Sequence, residues 1–126
     1  MKRIALGIGL LILMLAVGVG ITAAFSALHR PLADRLEQAQ AAAVEGDWET
    51  AAALARDAGR TWQKYRPFTA AVADHAAIEQ MDGLFARLMP LAQLQCAEEF
   101  AADCAELARL ATAMADSQSL IWWNLL

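Results

Sequence analysis

Polar and apolar positions divide the chain into two regimes. Ile4 to Leu28 is a run of 25 residues without a charge, and the positions beyond it follow the three-and-four spacing of amphipathic helices. As a helix the run rises about 37 Å, enough to cross a hydrocarbon core of roughly 30 Å with some tilt. Lys2 and Arg3 precede it; His29, Arg30 and Arg35 follow, with Asp34 and Glu37 interspersed. So short a basic leader is expected to stay cytoplasmic, which exports residues 31–126. A cleaved secretory signal competes with a retained anchor, because Thr22-Ala23-Ala24 and Ala24-Phe25-Ser26 offer small residues for cleavage. In that case the remainder would be secreted. The apolar run nevertheless exceeds the usual signal core of about 7 to 15 residues, so the retained anchor is the leading expectation.

Beyond the anchor the spacing predicts helices. Leu28, Leu32, Leu36, Ala39 and Ala43 share a face, and this segment continues the membrane helix with a local disturbance at Pro31. Gly46-Asp47 then interrupts the pattern, with Asp47 placed to cap a helix entered at Trp48. Trp48, Ala51, Ala55, Ala58, Trp62 and Tyr65 form the clearest packing seam. Pro67 is expected to separate that helix from one over about Thr69 to Met89, and Pro90 to separate the latter from a helix over roughly Gln93 to Ser117. Ala77, Met81, Leu84, Leu88 and Leu91 line the third helix; Ala97, Phe100, Cys104, Leu107, Ala111 and Met114 line the fourth. Short connections favour antiparallel neighbours. The predicted fold is all-α, an N-terminal transmembrane helix followed by a small three- or four-helix antiparallel bundle. Residues 1–30 are the short cytoplasmic end and anchor, and 31–126 the exported helical domain with an apolar C-terminal tail. Trp48, Trp62, Tyr65, Phe85, Leu88, Phe100 and Leu107 are the expected core or groove residues. In the tail, Trp122 and Trp123 can pack on the bundle, rest at the membrane interface or contact a partner.

With 126 residues there is room for one conventional domain. All 14 acids lie after residue 30, against seven Lys and Arg in the same region. That balance disfavours a nucleic-acid surface, which needs clustered cations. Residues 31–66 hold five bases against six acids, whereas 67–126 hold only Arg87 and Arg109 against eight acids. Alanine triplets such as Ala41-Ala42-Ala43 and Ala51-Ala52-Ala53 raise helix propensity while burying little area, so the few large side chains must supply specificity.

Candidate chemistry is sparse. His75, Glu79 and Asp82 recur at helical spacing and form a candidate polar ligand site, although a metal would need more converging donors than this run supplies. A surface His75–Glu79 pair is the plainer reading. Cys96 and Cys104 are eight apart in a predicted helix, a rise of about 12 Å, too far for a disulfide between them. Cys104 reads as core, while Cys96 could bridge to another chain in an oxidising compartment. Glu98, Glu99, Asp103 and Glu106 make an acidic face that suits a helix N-terminus, without a nucleophile or orienting base beside it. No phosphate-binding glycine loop is present in the required context. No catalytic residue, metal or cofactor is therefore assigned.

Taken in order, the basic membrane helix, Gly46-Asp47-Trp48, Trp62, the Asp74-His75 step before Ile78 and Glu79, and the helix through Leu84, Phe85 and Leu88 resemble a small bacterial membrane-protein family. It is catalogued as domain of unknown function 4363. The resemblance covers nearly the whole chain and implies an N-terminal membrane anchor with an exported helical domain, but no activity or catalytic residue. The Gly46-Asp47-Trp48 turn with Ala51, Ala52 and Ala55 also resembles one helix entry of a tetratricopeptide repeat, without a second matching turn. The leading functional expectation is a membrane-tethered structural or protein-interaction module, held in the bilayer by residues 4–28 and bound to a protein partner. The alternative is an envelope sensor or ligand-binding bundle centred on His75. An enzyme is the remotest reading.

Overall fold

The computed structural model describes the backbone of residues 1–125 and the side chains of residues 1–71 and 73–116. Within that range the chain is all-α, with four helices and no strand: α1 (Lys2–Val44), α2 (Trp48–Val72), α3 (His75–Gln93) and α4 (Ala97–Leu125). Each packs against its neighbours in sequence, and α4 closes back on α1, so α1 and α3 lie diagonally across a four-helix ring.

The long first helix joins the membrane segment to the bundle. Its residues from Met1 to Met14 are exposed, including Leu6, Leu10, Leu11 and Leu13, as expected of a surface meant for lipid rather than protein. This helix is long and apolar enough to cross a membrane. Farther along, Gly18, Phe25, His29, Leu32, Leu36 and Ala39 are buried against the other helices. The bundle therefore takes core residues from inside the apolar run itself.

Neither Pro67 nor Pro90 separates helices, contrary to the expected boundaries. Pro67 lies inside α2 and Pro90 inside α3, just as Pro31 lies inside α1. A proline deprives the carbonyl four residues back of its donor. Here all three prolines, and Ala27, Gln63 and Ala86 four residues before them, are on exposed parts of their helices. The missing bonds fall outside the packed core, and the helices continue.

Other residues end the helices. Asp47 caps α2 as expected, its Oδ1 accepting from the Thr50 backbone N–H at 3.2 Å. Asp74 caps α3 in the same way, accepting from Ala76 N–H at 3.2 Å. After α1, Asp47 N–H donates to the Ala42 carbonyl and Gly46 N–H to the Ala43 carbonyl, with Gly46 at φ +81°. After α3 the same paired closure recurs, Cys96 N–H to the Leu91 carbonyl and Gln95 N–H to the Ala92 carbonyl, but with Gln95 at φ 54° in the glycine position.

The core follows the predicted seams. Trp62, Phe100, Leu88 and Leu107 are fully buried, joined by Phe25, Leu36, Ile78 and Met81. Trp48, Tyr65 and Phe85 are half-buried; Trp48 meets Phe100 edge-on with ring centroids 5.4 Å apart. Between these anchors Ala39, Ala51, Ala55, Ala58 and Ala111 are buried, and their small side chains let the backbones approach closely.

Candidate functional site

The polar centre of the bundle is built on the second tryptophan of the α2 seam. Trp62 Nε1–H donates to Asp82 Oδ1 at 2.6 Å. Four residues along α2, Arg66 donates through Nε and its terminal nitrogen to Asp82 Oδ2 at 2.8 and 2.7 Å. Burial pushes the Asp82 carboxyl up, but the hydrogen bonds from Arg66 and Trp62 and the Arg66 charge outweigh it. The result lies below the ordinary Asp value of 3.8. Arg66 is correspondingly raised, first by that hydrogen bond and also by the charges of Asp82 and Glu79.

Of the candidate ligand residues His75, Glu79 and Asp82, only Asp82 joins this cluster by hydrogen bond. His75 and Glu79 are exposed, and neither makes a hydrogen bond or ion pair with Asp82 among the described residues. Asp82 is held instead by Trp62 and Arg66 of α2. The helical spacing was right, yet it could not reveal that the strongest partner came from another helix.

Beside the Asp82 cluster runs an open groove between α2 and α3, about 470 Å³ in volume. Its floor includes Phe85 and Leu88 and its α2 rim Arg56, Arg60 and Gln63. Phe85 stacks on Trp62 with centroids 6.1 Å apart, and one ring edge lies 3.8 Å from where a side chain on Gly59 would begin. The missing side chain leaves the Phe85 edge open toward the groove.

The rim is basic. Arg56, Arg60 and Lys64 follow one another at four-residue spacing along α2, and all three are exposed. Like charges at that spacing destabilise a helix by about 0.2–0.5 kcal/mol per pair. Neither Arg56 nor Arg60 forms an ion pair within 4.0 Å among the described residues, and Lys64 Nζ lies 5.4 Å from the Tyr65 ring centroid. The four-residue spacing of this ridge is visible in the sequence, but a charge total for residues 31–66 conceals it.

Elsewhere the titratable groups serve the packing. Asp103 is buried beneath Arg87, whose Nε stands 3.3 Å from Oδ2 without a hydrogen bond to it. Burial raises the Asp103 carboxyl; Arg87 opposes this and Glu99 adds to it. Glu106 accepts from Gln80 across to α3 and from Arg109 on its own helix. Glu98 and Glu99 are exposed in the first turn of α4. Cys104 is buried and its thiol pushed up to about 12 by burial and by Asp103, which keeps it from forming a reactive thiolate. Cys96 precedes α4, half-buried, and is free like Cys104. The side chains of Trp122 and Trp123 lie outside the described residues.

Comparison with known proteins places the chain in a family. The family described as Domain of unknown function (DUF4363) matches residues 20–125, most of the chain, and the chain belongs to it. No curated protein and no solved structure matches.

Proposed function

We propose that this family member is a membrane-tethered interaction module whose α2–α3 groove holds an acidic helical segment of a partner protein. The observation that carries this reading is the pairing of an apolar floor at Phe85 with the exposed guanidiniums of Arg56 and Arg60, which form no ion pair among the described residues. An apolar stripe on the partner would fill the floor, and its carboxylates would meet the rim. The local basic ridge contrasts with the acidic balance of residues 67–126, so a partner carrying carboxylates is steered to this side of the bundle.

Tethering supports the same reading. A module fixed by an N-terminal membrane helix meets its partner in the plane of the bilayer, where a modest interface is helped by raised local concentration. We place the short N-terminal end in the cytoplasm and the bundle on the other side, following the brevity of the leader and its Lys2-Arg3 charge. Trp122 and Trp123 are a second contact surface on the sequence reading alone.

The test is photocrosslinking in native membranes from a photoreactive residue at Gln63, which lines the groove. A discrete crosslinked partner is expected, and the double reversal Arg56→Glu/Arg60→Glu should remove it while helicity is unchanged. A crosslink that survives charge reversal, or one lost only in the Trp122→Ala/Trp123→Ala variant, contradicts the groove assignment.

A further inference from the structure

The membrane segment and the bundle overlap in height. Phe25 lies inside the apolar run, yet it is fully buried and its ring centroid is 6.0 Å from that of Phe68 on α2. Ten residues along α1, Arg35 donates to Thr61 Oγ1 at 3.0 Å, which fixes the antiparallel register of the two helices. From Phe68, α2 continues to Val72 before the turn at Ala73 and Asp74. At 1.5 Å per residue the turn lies about 8 Å beyond Phe68, level with the neighbourhood of Gly20 on α1. The burial of Gly18 agrees with a bundle that reaches this far down.

The length of bare α1 is then too small for a bilayer. Ile4 to Val17 rises only about 21 Å, against a hydrocarbon core of roughly 30 Å. Snorkelling by Lys2 and Arg3 recovers part of the difference at the other end. The rest brings the α2–α3 end of the bundle to the membrane surface with no spacer between.

That end is made for such a contact. Pro67 to Ala73 is uncharged, bounded by Arg66 and Asp74. Within it Phe68 is 39% exposed despite touching Phe25, and Pro67 and Ala71 are exposed. Charges resume at Arg30 on α1 and Arg66 on α2. Asp74, exposed at the turn as the cap of α3, sets the depth: a carboxylate belongs among headgroups rather than in hydrocarbon.

We infer that the α2–α3 end of the bundle, through Pro67–Ala73, is a second membrane contact seated in the lipid headgroup layer beside α1. Through Phe68 this segment meets Phe25 of the apolar run itself, so the bilayer that holds the anchor also reaches it. The bundle would be held by two points, and its tilt relative to the membrane would be restricted. This inference requires membrane insertion but not the α2–α3 groove, and it stands or falls separately from the partner proposal.

The test places an environment-sensitive dye on Ala71→Cys in a Cys96→Ser background; the buried Cys104 thiol is left in place because it resists labelling. The full chain is reconstituted in phosphatidylcholine–phosphatidylglycerol vesicles containing lipid with a headgroup-level spin label. A dye on Glu45→Cys, at the opposite end of the bundle, serves as reference. We expect the dye at position 71 to be quenched about threefold more strongly than at 45, with blue-shifted emission. Should Ala71→Cys fail to fold by circular dichroism, Pro67→Cys carries the dye instead. Equal lipid quenching at the two ends, with full access to an aqueous quencher at the α2–α3 end, overturns the inference and points to a bilayer thinned around a bare α1.

Discussion

Trp62 places a large ring in the core and directs its one polar atom at Asp82. Truncation of Trp62 to Ala should cost about 3–5 kcal/mol, enough to unfold a small bundle. Trp62→Phe keeps most of the ring but removes the donor, and should cost about 1.5–3 kcal/mol, the worth of a hydrogen bond to a charged group. Denaturant unfolding followed by helicity separates the two; a Trp62→Phe variant as stable as wild type would mean that the Asp82 bond contributes nothing. Asp82 also gives the bundle a pH dependence. Its folded-state value lies below 3.8, so its stabilisation is complete above the ordinary carboxylate range and is lost as pH falls through the depressed value. Asp82→Asn should be less stable than wild type above pH 3.8 and lose less stability on further acidification. Matching acid-side slopes would contradict this. Gln95 is the opposite case, a residue at φ 54° where glycine would be unstrained. Gln95→Gly should raise stability by about 0.5–1 kcal/mol in the same unfolding assay. A loss would show that the Gln95 side chain holds the turn.

At the level of the helices, seams were legible and ends were not. The three-and-four spacing located the buried Trp62, Leu88, Phe100 and Leu107 because each helix has one side toward the core. The helix boundaries depart from those the prolines predict, since Pro67 lies inside α2 and Pro90 inside α3. A proline is disruptive when its freed carbonyl is buried, and exposure is a tertiary property that no window of sequence contains. The true end of α3 carried Gln95 where glycine normally signals a stop, which removed the cue. Since the helix runs through Pro67, Pro67→Ala should restore a bond and raise stability by about 1–3 kcal/mol with helix content nearly unchanged. A large change in helicity, or a destabilised protein, would show that α2 breaks at this position. The Asp82 cluster was hidden for a related reason: Trp62 and Arg66 visibly share a face of α2, but their acceptor lies on α3, sixteen residues beyond Arg66.

For the whole molecule, α1 decides how the parts act together. It carries the lipid-facing residues at one end and Leu36, Ala39 and Ala43 of the core at the other, in one helix of 43 residues. The sequence showed the apolar run clearly, and its Pro31 was expected to be only a local disturbance. What it could not show was that Phe25 belongs to the bundle, because a buried core residue and a lipid-facing one have the same apolar chemistry. His29, stacked on Phe25 with centroids 4.2 Å apart and with Nδ1 2.8 Å from the Phe25 carbonyl oxygen, lies at this junction. If the groove engages a partner, an unbroken α1 presents it at a fixed height above the bilayer. A hinge near Pro31 would instead leave the bundle free to swing, and both the height and the second membrane contact would lose their meaning.

Amide hydrogen exchange across the Ala27–Ala33 segment, measured on the full chain in a lipid bilayer, tests this continuity most directly. A continuous α1 predicts protection there comparable to that of Ala39–Ala43 in the core. Exchange near the rate of an unstructured peptide in that segment, with Ala39–Ala43 still protected, would show a hinge and contradict the account.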